Sequence, residues 1–155
     1  MTEKTDYPEY IDLLNTIRQQ EARAGVYLRA WADKTANPDL KECLSFVAAR
    51  ETSHGEIFDR RVQELGFPLV EVEDPEFFEK VRVVSSDISD GEKIAWLKES
   101  QMRQPVPTVR DQYEAAADDQ SVDALTRSLI RWFIDVENDS RDVMGQVYAK
   151  LEQQG

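Results

Sequence analysis

The chain has little of what most enzyme sites are built from. It holds one cysteine and one histidine in 155 residues. With Cys43 alone, an internal disulfide, a Cys-rich zinc site and a Cys₄ iron centre are all excluded. Cys43 also falls inside an apolar helical pattern, so it reads as packing rather than as a reactive thiol. With His54 alone, any Ser–His or Cys–His mechanism would have to run through it, and no nucleophile signature accompanies it. No glycine-rich phosphate loop, low-complexity tract or second domain is visible. No apolar run approaches the ~20 residues of a membrane span. The polar opening Met1–Asp6 leads into no apolar signal core, so the sequence reads as that of a cytoplasmic protein. Positive charge is also in deficit. Nineteen Lys and Arg face 31 Asp and Glu, a net charge of −12. That field repels a duplex or an anionic membrane, and no basic stripe offsets it, so neither nucleic acid nor membrane is an expected partner.

What the chain does have is helical periodicity. The expectation is a single all-α domain over residues 1–155, a four-helix bundle. The first helix is expected near Tyr7–Lys34, with Asp6 as N-cap and Pro8 in its first turn. Its seam is Tyr10, Leu14, Ile17, Glu21, Ala24, Leu28 and Trp31, in steps of three and four. The second is expected near Pro38–Leu65, along Leu40, Leu44, Val47, Glu51, His54, Phe58 and Val62 or Leu65, ending at Gly66-Phe67-Pro68. The short link between them makes the two antiparallel neighbours.

Residues 66–90 follow no single period. Leu69–Val72 is strand-like and Pro75–Phe78 resembles a short helix start, which suits a long crossover. Asp90 is expected to cap a third helix containing Ile94, Trp96 and Leu97. Pro105 and Pro107 then kink or split it before Val109, Tyr113 and Ala116. The fourth helix is expected near Val122–Gln153, along Ile130, Phe133, Glu137, Ser140, Met144, Val147 and Leu151.

Three acids and the lone histidine interrupt these apolar seams: Glu21, Glu51, His54 and Glu137. A carboxylate buried alone costs several kcal/mol, so each should be paired, protonated or bound to metal. Glu51 and His54 are three residues apart and leave one helical face about a turn from each other. A carboxylate and an imidazole so placed can reach one metal ion.

In this arrangement the chain resembles the ferritin-like superfamily, and its rubrerythrin branch in particular. Glu21 followed by Glu51-Thr52-Ser53-His54 is similar to the first half of that family's ligand set. Glu137-Asn138-Asp139-Ser140 is similar to the second Glu-x-x-His, with serine in place of histidine. The resemblance implies a long crossover between helices two and three and two iron ions if the ligand set is complete, or one if it is not. Manganese is the alternative ion. It further implies Glu51 and Glu137 as bridges, Glu21 and His54 completing one metal, and poorer ligation of the second metal by Glu99 or another acid, Ser140 and water. The chemistry implied is reduction of oxygen or peroxide coupled to iron oxidation. The helix-three carboxylate has no clean counterpart. Glu99 is the candidate, because it continues a seam through Met102, Val106, Val109 and Tyr113; Asp111 and Glu114 rank below it. A rubredoxin-type centre is excluded by the single cysteine.

A competing reading keeps the fold and drops the metal. His54 would then be a core histidine satisfied by Glu51 or Glu21, and Glu137 would pair with Arg131, Arg141 or His54. Tyr27, Trp31 and Trp132 read as core residues rather than redox relays. The bundle would serve as a structural or protein-interaction module, with the polar seam fixing helix register. Iron storage in a closed shell is a third reading and would need an assembly surface. Metal ions are the partners the seam calls for, and a homodimer is compatible with it.

Overall fold

The computed structural model describes residues 7–154, and the statements below concern those residues. They form six α-helices and no strand. The helices are α1 (Glu9–Lys34), α2 (Pro38–Glu64), α3 (Phe77–Val84), α4 (Asp90–Met102), α5 (Val109–Asp118) and α6 (Ala124–Gln154). Asp6, the expected first cap, lies outside the described residues. Pro8 stands at the N-cap of α1 rather than inside its first turn.

Helices α1 and α2 form an antiparallel hairpin around the three-residue link 35–37. Asn37 caps α2 by accepting from the Leu40 amide, and Pro38 opens its first turn, where a missing N–H costs nothing. The two backbones approach closely through glycine. A Cβ on Gly55 would lie 3.2 Å from both the Ala22 nitrogen and the Arg18 carbonyl oxygen. A Cβ on Gly25 would come within 2.4 Å of the Thr52 hydroxyl. Small residues at these points set the spacing of the hairpin.

Helix α6 lies antiparallel to α2. Its contacts run from Arg61 with Asp123 and Thr126, through Phe58 with Phe133, to Arg50 with Asp139. Beside α6 and across from α2, the remaining position of the bundle is divided. Trp31 and Thr35 hold Asp90 at the start of α4, and Lys98 meets Glu152, both at the end where α1 finishes. Helix α5 continues toward the other end, with Tyr113 against Phe133 and Arg131 donating to the Ala117 carbonyl. The expected split near the prolines is therefore present, at residues 103–108.

The chain between α2 and α4 climbs the outer side of α1. Asn15 accepts from the Val70 amide and Gln19 from the Val72 amide, while Arg18 and Arg23 donate to the carbonyls of Val70 and Val72. Higher up, Lys80 sits over Tyr27 and Lys34 pairs with Asp87. Leu69–Val72, strand-like in sequence, is not a strand. Its backbone partners are helix side chains, which satisfy the same donors and acceptors that a sheet would. One cap also differs from expectation. Ser89, not Asp90, caps α4, in a reciprocal box with Glu92.

The core has two apolar compartments. One gathers Ile11, Leu14, Ile17, Phe58, Val62, Tyr113, Ile130 and Phe133. The other gathers Leu28, Trp31, Leu40, Leu44, Val47, Val84 and Ile94, with Met144 and Tyr148 against it. On α1, α2 and α6 alike, the residues between the compartments are polar: Glu21, then Glu51 and His54, then Glu137 and Ser140.

Candidate metal centre

Those polar residues meet. Glu21, Glu51, His54 and Glu137 each present one donor atom, and the four atoms lie within 4.8 Å of one another. Three helices deliver them: α1 gives Glu21, α2 gives Glu51 and His54, and α6 gives Glu137. The glycine contact between α1 and α2 lies next to the site, since Gly55 follows His54 and faces Ala22, which follows Glu21. The imidazole is held edge-on by two rings of α6, Trp132 at 5.3 Å and Phe133 at 5.2 Å between centroids. Such packing fixes the ring plane and so the direction of its nitrogens.

The cluster is buried and under-satisfied. Glu21, Glu51 and His54 are 7%, 5% and 2% exposed, and the Glu137 side chain is 20% exposed. His54 Nδ1 lies 3.5 Å from Glu137 Oε1 and 3.7 Å from Glu21 Oε2. These are ion-pair separations, too long for good hydrogen bonds. Accordingly His54 Nδ1, Glu21 Oε2 and Glu137 Oε1 are all buried without a hydrogen-bond partner. Buried polar atoms are paired in the great majority of cases, so three orphans facing one point mark a place for a ligand.

The electrostatics agree. Burial lifts the Glu21 carboxyl to about 7; the nearby Glu137 charge adds to this and His54 partly offsets it. Burial works against the His54 cation, but Glu137 and Glu21 outweigh it and lift the imidazole to about 9. Tyr113, buried and near the same acids, is pushed up to about 12, and the Tyr27 phenol is likewise raised by burial and by Glu21 and Glu137. Negative charge is in excess here. No Lys or Arg pairs with Glu21, Glu51 or Glu137 among the described residues.

The other sequence candidates lie elsewhere. Glu99 is exposed on α4, where Lys93, Ile94 and Ser100 are the buried positions. Met102 and Val106, the next positions of its seam, are 85% and 86% exposed, so the seam turns to solvent there and reaches the core only at Tyr113 on α5. Asp111 is exposed and caps α5 with Thr108; Glu114 pairs with Arg110. Ser140 is buried one turn beyond Glu137, and its hydroxyl accepts from Arg50 at 3.0 Å. Cys43 is buried and Trp31 fully so, whereas Trp132 is 43% exposed on the far side of its contact with His54. The sequence reading missed Arg50, Gly25 and Gly55. For the glycines there is a signal, the small residues Ala22-x-x-Gly25 and Thr52-x-x-Gly55 on facing seams. Arg50 leaves none beyond its adjacency to Glu51.

No protein-family model matches the chain, and no curated protein or solved structure matches it.

Proposed function

We propose that this chain is a carboxylate–histidine metal protein of ferritin-like build, with a redox-active metal that works on oxygen or peroxide. The observation that carries the reading is the convergence of three orphaned buried donors with a fourth carboxylate on one point. The course of the chain supports the ferritin-like part. A short hairpin, a long crossover up the side of α1 and a return antiparallel to α6 are the connections such bundles use.

The residues fit a metal chemically as well as spatially. Three carboxylates and one imidazole suit iron or manganese, and the excess negative charge calls for a cation. Glu21, Glu51, His54 and Glu137 would hold it. Once bound, iron with open positions supplies electron transfer to a small oxidant. The chain's own part is to orient and to exclude. Trp132 and Phe133 fix the imidazole, the two apolar compartments keep bulk water from either side, and partly exposed Glu137 marks the edge that a small molecule can reach.

The rival reading has one observation in its favour. His54 lies within 4 Å of two carboxylates, as it would in a structural polar core. Thermal melts of wild type and Glu51→Ala, each with chelator and with anaerobic ferrous iron, separate the two. At a hundredfold excess over Kd, metal should stabilise wild type by ~2.7 kcal/mol, roughly 5–10 °C for a domain of this size. Glu51→Ala should lose most of that gain. If wild type melts alike in both conditions while Glu51→Ala collapses in both, the cluster is a structural core and the metal reading falls.

A further inference from the structure

We infer that the centre takes one metal ion, not two, and that the Arg50 guanidinium stands in place of the second. The inference rests on the metal reading above and deepens it. Donors around a single ion at about 2.0–2.2 Å lie up to about 4.2 Å apart. The four donor atoms lie within 4.8 Å of one another, slightly wider than that, so a single ion would draw the side chains inward by a fraction of an ångström.

A second ion would need ligands of its own, and the two places to look both lack them. The first is α6 one turn beyond Glu137. There the side chain is Ser140, 3% exposed, whose neutral hydroxyl is a weak ligand already occupied by Arg50 Nη1 at 3.0 Å. The same nitrogen donates to Asp139 at 2.7 Å, and the guanidinium lies 4.2 Å over the Phe46 ring. Serine, aspartate and aromatic ring hold the guanidinium in one position, next in sequence to Glu51. A cation held there repels a second metal ion. The second place is the third wall of the bundle. On α4, buried Ile94 belongs to one apolar compartment, Lys93 donates to the Val84 carbonyl and Ser100 to Glu76, while the buried residues of α5 belong to the other compartment. Between them, where a ligand would have to project, the chain is the exposed stretch from Arg103 to Pro107.

The arrangement has a chemical consequence. Three carboxylates with a neutral imidazole balance the charge of a trivalent ion, so bound iron is held toward its oxidised state. One iron cycling between Fe²⁺ and Fe³⁺ would supply a single electron, so on that couple a two-electron reduction of peroxide would need a second electron from an outside donor.

The test is a count. Protein stripped with chelator is loaded anaerobically with excess Fe²⁺, and separately with redox-inert Zn²⁺, then desalted and assayed for metal per chain. One ion per folded chain is the expected result. Two ions per chain would overturn the inference and leave the metal reading standing. No retained ion, in protein that is helical by circular dichroism, would overturn the metal reading and this inference with it. The double variant Arg50→Gln/Ser140→His removes the cation and supplies an imidazole, and it should gain a second, weaker equivalent. Arg50→Lys/Ser140→His keeps a positive charge and should gain less. If both double variants are folded and hold a single ion, the guanidinium is not what excludes the second.

Discussion

The wall of the site built by α1 and α2 differs from the wall built by α4 and α5. The first is continuous over more than six turns on each helix, closes through glycine to backbone contact, and delivers three of the four donors. The second is two short helices with an exposed break, and it delivers none. A ligand must be held to within a fraction of an ångström, and a side chain inherits its position from the backbone beneath it. Donors therefore sit where the backbone is fixed by close packing, and the broken wall is free of that demand. The site is the property of three helices, with the fourth position serving as a cover.

The largest expected effect comes from removing the one cation at the centre of the rigid wall. In metal-free protein at neutral pH, His54→Ala leaves Glu21 and Glu137 buried without a positive partner. Stranding a buried charge costs ~3–5 kcal/mol. Urea unfolding in the presence of chelator should show a loss of that size, and metal retention should vanish. On the other wall, Val106→Ala changes an exposed side chain and should stay within about 0.5 kcal/mol of wild type. Equal effects at the two positions would dissolve the contrast between the walls.

Next in size is Gly55→Ala. The new Cβ would meet the Ala22 nitrogen and the Arg18 carbonyl oxygen, backbone atoms of α1 that cannot rotate away. Helix α1 must shift, at a cost of ~1–3 kcal/mol for overpacking. Because Glu21 travels with α1 and His54 with α2, metal affinity should fall along with stability. Calorimetric titration of the variant with Co²⁺ checks this. An unchanged affinity in a destabilised variant would mean that the hairpin spacing does not position the donors.

The same two helices show how far the sequence could be read. Steps of three and four placed Glu21, Glu51, His54 and Glu137 on interior faces, because on a long helix the seam position dictates burial. The hairpin followed from three link residues and Pro38. The period failed wherever structure is set by partners distant in sequence. Leu69–Val72 has the residue types of a strand, yet what it lies against is Asn15, Arg18 and Gln19 of α1. Glu99 shared a spacing with Met102 and Val106, but that face is turned to solvent because Ser100 and Ile94 point inward. The α4 cap is legible in the Ser89-x-x-Glu92 pattern, which outweighs the neighbouring Asp90. Arg50 could not be read at all, since its role depends on Ser140 and Asp139 ninety residues on.

A smaller effect, with opposite signs in the two states of the site, is expected from pH. In metal-free protein the His54 imidazole is lifted from 6.5 to about 9 and the Glu21 carboxyl from 4.5 to about 7. A raised histidine contributes stability that is full below 6.5 and lost as pH rises through about 9. A raised glutamate costs stability as pH rises from 4.5 through about 7. Both make the metal-free protein less stable as pH rises from roughly 6 to roughly 8. Metal binding needs the same groups deprotonated, so the gain from metal should grow over that range. Melts with chelator and with Mn²⁺ at several pH values should diverge. Curves that rise together would mean that the carboxylates and His54 do not share charge as described.

The smallest effect, and the control for the second prediction, is Gly145→Ala. Gly145 lies on α6 with an exposed residue surface, and a Cβ there would meet nothing within 4 Å. Glycine inside a helix costs ~0.5–1 kcal/mol relative to alanine, because it has more backbone freedom to lose on folding. Nothing at Gly145 offsets that cost, so the substitution should stabilise the protein by up to about 1 kcal/mol. The melting temperature should rise by roughly 2–4 °C, with metal retention unchanged. The same chemical change at Gly55 is expected to act in the opposite direction, and the only difference between the two positions is whether another helix backbone lies against the glycine. If Gly145→Ala also lowers stability, α6 has a close neighbour on that side. If Gly55→Ala raises it, α1 and α2 are less tightly closed than their glycines indicate, and the rigid wall loses its claim to hold the site.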